Sequence, residues 1–412
     1  MKLTHLLFLV LSIRFTKCFM LYKIGKSLNR VINEYNADNM LIDPIVEMMY
    51  PSNADDIPST NNGVPMDTIP KMPSQKKLTE QEQYDLQWYV IGTPNDFSSR
   101  KATRATVWAN NYAIWRNAST GEYYGIDDVC PHKGASLSGG KLSKGCLICP
   151  YHGYEYGGDG KLKKVPGIQF QQHHDSEPYT LPAYDSSKYT VVEKNGWVYL
   201  NTFPTYLHTQ PLATNIFEEP EATLGHSCVF LEMDFDCYAR VLSENSLDVM
   251  HIGFVHTFGN KENPAPTQEY PPIQVSPYHF KTSYSYKSGK DSMVKKIFNI
   301  RDLKIENEFV LPHTTVARVI FEDYVSTVIT FALPVSETKS KLFVKTYRNF
   351  WKNSVGDTMT ENMMRTTMLQ DKMVVENIDM RFMDGKFNMK YDKLQNTYKT
   401  FYKRFVRQNP EV

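Results

Sequence analysis

Between Cys130 and Gly153 the sequence CPHKGASLSGGKLSKGCLICPYHG holds two cysteines and two histidines as two separate pairs, Cys130-x-His132 and Cys149-x-x-His152, with sixteen residues between the pairs. A zinc finger keeps its thiolates together and its imidazoles together. Here each loop supplies one of each, which disfavours a structural zinc ion. The arrangement suits two unlike irons, with each loop giving its cysteine to one and its histidine to the other, the mixed ligand set of a [2Fe-2S] centre. Imidazoles in place of two thiolates make such a cluster less negative and easier to reduce. Gly134, Gly139, Gly140, Gly145 and Gly153 suit loops whose backbone must approach bridging sulfides, and Pro131 and Pro150 stiffen the two tips.

A centre of this kind moves single electrons, so a second site must use them. The stretch ENSLDVMHIGFVH supplies Asn245, Asp248, His251 and His256. At 100° per residue the two histidines would point about 140° apart on a regular helix. The helix is therefore expected to bend between them, at Gly253. Two histidines with one carboxylate and open positions form the facial triad of non-haem Fe(II) sites. Downstream, LQDKMVVENIDM offers Asp371, Glu376 and Asp379 as candidate third ligands.

CPHKGASLSGGKLSKGCLICPYHGYEYGGDGKL resembles the Rieske domain of Rieske non-haem iron oxygenases, of the aromatic-ring-hydroxylating α-subunit type. Ala135 stands where respiratory Rieske proteins carry a disulfide cysteine, which favours the oxygenase branch. N-x-x-D-x-x-H-x-x-x-x-H resembles the catalytic motif of the same family, and Q-D-K-x-V-V-E its third-ligand segment, so the resemblance selects Asp371 over Glu376 and Asp379. It implies one [2Fe-2S] cluster on Cys130, His132, Cys149 and His152, and one mononuclear Fe(II) on His251, His256 and Asp371. Asn245 and Asp248 are implied as catalytic residues. It further implies a homotrimer in which Asp248 bridges His251 to His152 of the partner subunit. Within ENSLDVMHIGFVHTFG the likeness is to chlorophyllide a oxygenase and pheophorbide a oxygenase-like proteins.

The expected activity is hydroxylation or oxidative demethylation of an organic substrate with dioxygen, the substrate being a chlorophyll-type tetrapyrrole, a small quaternary amine or an aromatic acid. A Rieske electron carrier without oxygenase activity is the competing function. The sequence has no nicotinamide or flavin fingerprint, so a separate ferredoxin or reductase is expected to deliver electrons. A formal charge of +1, from 46 basic and 45 acidic residues, gives no basic field for nucleic acid.

These residues need a scaffold. QWYVIG, ATVWAN, YAIWRN, EYYGID, YTVVEK and GWVYLN are short β-branched and aromatic runs broken by turn residues, as in a compact antiparallel β domain. Further on, a polar helix is expected over 243–256, then strands in FKTSYSY, TTVARVIFEDY, VSTVITFALPV and KLFVKTYRNF, a long helix over 358–380 and a polar helix to the end. The fold class is α+β: an N-terminal antiparallel β Rieske domain over 86–204, then, by the resemblance, a helix-grip catalytic domain over 205–412. Lys2 and the apolar run from Leu6 to Ile13 read as a signal peptide over 1–18. Residues 19–85 read as a transit-like segment and linker, with order beginning near Gln87. That pair of segments predicts a plastid reached through the secretory route, with the cytoplasm as the alternative.

Overall fold

A computed structural model of the protein describes residues 78–167, 184–207, 216–290, 292, 294–385 and 389–408. The expected signal peptide and most of the linker lie outside the described residues.

The described chain is already structured ahead of the expected start at Gln87, in helix α1 (Glu80–Asp85). The reason is local. Thr79 and Glu82 form a reciprocal capping box, and Leu78 is buried ahead of it.

Ten short strands follow: β1 (Trp88–Gly92), β2 (Thr103–Val107), β3 (Asn110–Arg116), β4 (Tyr123–Asp127), β5 (Lys141–Ser143), β6 (Cys146–Ile148), β7 (Glu155–Tyr156), β8 (Leu162–Lys164), β9 (Lys188–Lys194) and β10 (Trp197–Asn201). They make a six-stranded sheet in the order β1-β10-β9-β4-β3-β2 and a four-stranded sheet in the order β5-β6-β7-β8. Trp115, Ile126 and Ala113 of the larger sheet pack with Leu147, Tyr156 and Leu162 of the smaller one, and Cys130 and Cys149 sit inside this core. The β2–β3 turn places Trp108 and Ala109 at φ 50° and 65°, which non-glycine residues seldom adopt. Their N–H groups donate to the carbonyls of Pro334 and Val335, each at 2.8 Å, so the turn is held by the following part of the chain.

That part holds an eight-stranded antiparallel sheet built from β11 (Ser227–Phe235), β12 (Gln268–Glu269), β13 (Ile273–Ser276), β14 (His279–Lys287), β15 (Asp302–Val310), β16 (Thr314–Phe321), β17 (Tyr324–Pro334) and β18 (Ser340–Arg348). The order is β11-β18-β17-β16-β15-β14-β12, with β13 also on β14. Its helices are α2 (Pro220–Thr223), α3 (Ala239–Leu247), α4 (Ile252–Val255), α5 (Ser354–Val375) and α6 (Lys393–Gln408). With period two, one face of the sheet gives Val316, Ile329, Phe331, Phe343 and Tyr347 to a core shared with Trp88, Tyr89, Trp197 and Leu200. The other face gives Val229, Leu231, Leu342 and Val344 to Met364, Met368 and Val375 of α5. Asn353 caps α5 by accepting from Gly356 N at 2.9 Å.

Two expected helices are corrected. The stretch over 243–256 is two helices, not one, and the long helix runs over Ser354–Val375 rather than 358–380. Its C-terminal end is tied to the end of β11 through Glu376 and Lys372. Glu376 accepts from Asp236 N at 2.7 Å and Lys372 Nζ donates to the Asp234 carbonyl at 2.7 Å.

Candidate metal centres

The two loops of the first domain repeat one backbone design. Cys130 N–H donates to the Ala135 carbonyl and Gly134 N–H returns to the Cys130 carbonyl, each at 2.8 Å. Cys149 N–H donates to the Tyr154 carbonyl at 2.8 Å and Gly153 N–H returns to Cys149 at 3.0 Å. Each turn closes on a glycine in the left-handed region, Gly134 at φ 73° and Gly153 at φ 72°. Both cysteines are buried at 2% exposure, His132 is half-buried and His152 is exposed. The imidazoles meet with centroids 4.7 Å apart, His132 stacks on Tyr154 at 4.6 Å, and Tyr151 lies 3.8 Å from His152.

The thiols stay unbridged. Burial raises the Cys149 pKa, the backbone N–H groups of Tyr151 and His152 lower it, and Cys130 beside it raises it again. The Tyr156 hydroxyl lies 3.5 Å from Cys130 Sγ. His132 Nδ1 is buried and has no hydrogen-bond partner. Paired thiols inside, paired imidazoles at the surface and an orphaned ring nitrogen fit a [2Fe-2S] cluster with mixed ligation. Cys146, by contrast, lies on β6 and takes no part in either loop.

In the second domain α3 ends at Leu247, and Asp248 turns to extended backbone at φ −78°, ψ 120°. The break is therefore at Asp248, not at Gly253 as expected. Asp248 Oδ1 accepts from Met250 N at 2.6 Å and His251 N at 3.2 Å, satisfying amides that a continuing helix would have bonded. Gly253 lies inside α4, where a Cβ would meet Pro264 Cβ at 2.5 Å, so it serves packing.

The rearranged chain brings the two imidazoles together. His251 Nε2 and His256 Nε2 are 3.1 Å apart, and Asp371 Oδ1 on α5 lies 3.5 Å from the first and 3.4 Å from the second. Asp371 Oδ1 is buried without a hydrogen-bond partner. An acceptor oxygen and two ring nitrogens this close need a shared cation or proton, and the donor set suits non-haem Fe(II).

The other ring nitrogens are tied down. His251 Nδ1 meets the Asp248 carbonyl at 2.7 Å, His256 Nδ1 meets Gln370 Oε1 at 3.2 Å, and His256 stacks on Phe258 at 5.0 Å. Burial pushes His251 down, but Asp371 and Asp248 more than reverse it and leave its pKa raised. Burial lowers His256, with Asp371 opposing and His251 adding to the depression.

Asp248 thus orients His251 through its backbone carbonyl rather than its carboxylate. Asn245 is half-buried and accepts from Asp248 N at 3.2 Å with its own carbonyl. Among the described residues its carboxamide bonds none of the triad. The two rejected acids are engaged elsewhere: Glu376 with Asp236 N, and Asp379 with Arg381. Gln370 was missed by sequence reasoning, and its only signal was adjacency to Asp371.

Comparison with known proteins agrees with this domain pair. Residues 87–177 match the model of the Rieske [2Fe-2S] domain, and residues 235–408 match the vanillate O-demethylase oxygenase C-terminal domain. The chain belongs to the Rieske non-haem iron oxygenase family. Among its relatives are pheophorbide a oxygenase, chloroplastic, of Oryza sativa subsp. japonica, 24% identical over 69% of this chain and 53% of that protein. The vanillate O-demethylase oxygenase subunit of a Pseudomonas strain is 30% identical over 42% of this chain and 46% of its own length. The chain thus spans about half the length of these curated relatives. Dicamba monooxygenase bound to 3,6-dichlorosalicylic acid superposes with TM-score 0.65 at 19% identity, over 79% of this chain and 98% of that one, a likeness of fold.

Proposed function

We propose that the protein is a Rieske-type oxygenase that uses dioxygen to hydroxylate or oxidatively demethylate an organic substrate, with electrons from a separate ferredoxin or reductase. The cluster domain is taken as 86–204 and the catalytic domain as 205–412. Cys130, His132, Cys149 and His152 hold the [2Fe-2S] cluster, and His251, His256 and Asp371 hold the Fe(II). When bound, the cluster supplies single electrons and the ferrous ion a place for dioxygen beside substrate. The chain fixes the imidazoles through the Asp248 carbonyl and Gln370, and keeps Asp371 Oδ1 bare. That bare, buried oxygen between two ring nitrogens is the observation that carries the reading. It also favours an oxygenase over an electron carrier, which would need no second triad.

The ligand set predicts about three irons and two acid-labile sulfides per chain. Asp371→Ala should remove about one of those irons and leave the visible and EPR signals of the cluster intact. Full iron retention in that variant, or stoichiometric zinc without labile sulfide in the wild type, overturns the reading.

Two finer points belong to it. The chain acts as a homotrimer in which Asp248 lies between His251 and the partner subunit's His152. In support, His152 is exposed, and Asp248 uses only Oδ1 in its own turn. The setting is a plastid, in keeping with the chloroplastic names of the rice relative and of chlorophyllide a oxygenase from Chlamydomonas reinhardtii. A native chain that still begins at Met1 would contradict cleavage after the signal.

A further inference from the structure

The helix-covered face of the eight-stranded sheet is unevenly filled. Pairing across its strands aligns Asn307, Ala317 and Val328 in one row and Ile305, Val319 and Ser326 in the next. The flanks of these rows are sealed, with Phe309 at 0% exposure under the α3 end and Val344 at 1% under α5. Between them Ala317, Val319, Ser326 and Val328 stay partly exposed, although α3 and α5 pack on this same sheet. Of their neighbours on the opposite face, Val316, Thr327 and Ile329 are at 2% or less, whereas Arg318, Ile320 and Val325, towards the β16–β17 hairpin, are partly exposed as well. Small side chains that keep exposure on a helix-covered face define a trough.

One wall of the trough belongs to the metal centre. Val249 packs with Tyr284 and Ile305, and Met250 and Ile252 lie against them, so the turn that carries His251 borders this floor.

Several buried polar atoms at that wall lack a hydrogen-bond partner, the Tyr286 hydroxyl and the Glu269 carboxylate among them, and two belong to adjacent side chains. Asn307 is 3% exposed and its Oδ1 has no hydrogen-bond partner; Tyr284 is 0% exposed and its hydroxyl has none. Thr282 pairs with Asn307 and Tyr284 with Ile305, which makes Asn307 and Tyr284 diagonal neighbours on one face. Thr282 itself is engaged, donating to the Tyr270 carbonyl. Buried polar groups in native folds are almost always paired, so two adjacent orphans beside a metal turn mark a place for a ligand group.

Their chemistry says which group. A carboxamide oxygen only accepts, whereas a phenol donates or accepts. The matching ligand group donates to one and accepts from the other, as a hydroxyl does. The face has two charged residues, each in an ion pair: Glu269, in register with Tyr284, with Lys393 at 3.1 Å, and Arg348 at the far edge, which donates through Nη2 to Asp357 and to the Trp351 carbonyl. Resting on the oxygenase reading, we infer that the trough takes a neutral hydroxyl, an alcohol or phenol on an apolar ring system, held by Asn307 Oδ1 and the Tyr284 hydroxyl. A quaternary amine and an aromatic carboxylate are thereby disfavoured.

Binding of 2-naphthol, naphthalene, 2-naphthoate and 2-naphthyltrimethylammonium to the iron-loaded full chain tests this by calorimetry, with no turnover required. Naphthol should bind at least tenfold tighter than the other three. Asn307→Leu should erase about a tenfold preference for naphthol over naphthalene, with naphthalene affinity unchanged. Tyr284→Phe, which keeps the ring, should reduce that preference severalfold and decides the matter if Asn307→Leu does not fold. Equal affinities for all four probes, tighter binding of either ion, or a naphthol preference that survives both substitutions overturns the inference. Iron and sulfide measured on the same samples report separately on the oxygenase reading.

Discussion

At the scale of single residues, His313 shows how burial sets a pH limit on the fold. It is fully buried among Tyr89, Trp108, Phe331 and Tyr402, with Ser243 Oγ 3.3 Å from its Nδ1. Burial pushes its pKa down to about 3. The folded state therefore binds fewer protons than the unfolded chain between that value and the ordinary histidine range, so stability falls as pH falls through this window. From pH 7 to pH 5, His313 should cost the wild type about 2 kcal/mol that His313→Gln does not lose. Urea melts of both proteins at the two pH values measure the difference; parallel losses would show that another group sets the limit. Nothing in the sequence around LPHTT announces this histidine, because its neighbours come from α3, α6, β17 and the first domain. Asn307 and Tyr284 were illegible for the same reason, since alternation tells which residues share a face but not which polar atoms lack partners. The metal donors were legible because their chemistry depends on spacing within short loops.

At the scale of elements, the β5–β6 hairpin carries Cys149 into the core, and its close approach to the preceding loop depends on Gly140. A Cβ there would stand 1.9 Å from the Ile148 carbonyl oxygen and 3.0 Å from that of Leu137. Gly140→Ala should force the hairpin away and lose the cluster's visible spectrum while the mononuclear iron stays bound. Normal sulfide content in that variant would show that the loop gives way instead. Five of the six runs of the first domain fall within strands, because each was short and ended at a turn, whereas ATVWAN straddles the β2–β3 turn at Trp108 and Ala109. The bend between the histidines was legible as a necessity but was assigned to the wrong residue. Glycine was taken as the weak point, whereas the Asp248 side chain capping two amides is what ends α3. The strands at Ser227–Phe235 and Asp302–Val310 were missed, the first because its partner, β18, lies more than a hundred residues on.

At the scale of the whole molecule, the paired thiols and the triad occupy separate domains, and the proposed trimer brings the exposed His152 of one subunit to Asp248 of the next. Asp248→Asn keeps size and the capping oxygen while removing the charge. Both metal contents should persist and sedimentation should still give three chains, but substrate-dependent recovery of the bleached visible spectrum in the reduced protein should slow at least tenfold. A monomeric active wild type, or recovery at the wild-type rate, rules the bridge out. The eight-stranded sheet has a further consequence. One of its faces closes the core of the first domain, where Lys345 is fully buried against Glu219 at 2.8 Å and over the Trp197 ring at 3.8 Å. A charge in that position is tolerable only while both neighbours are present. The sheet is in effect a party wall, so neither half is a free-standing module. Recombination that swapped one domain for a relative's would have to carry the matching half of the wall with it.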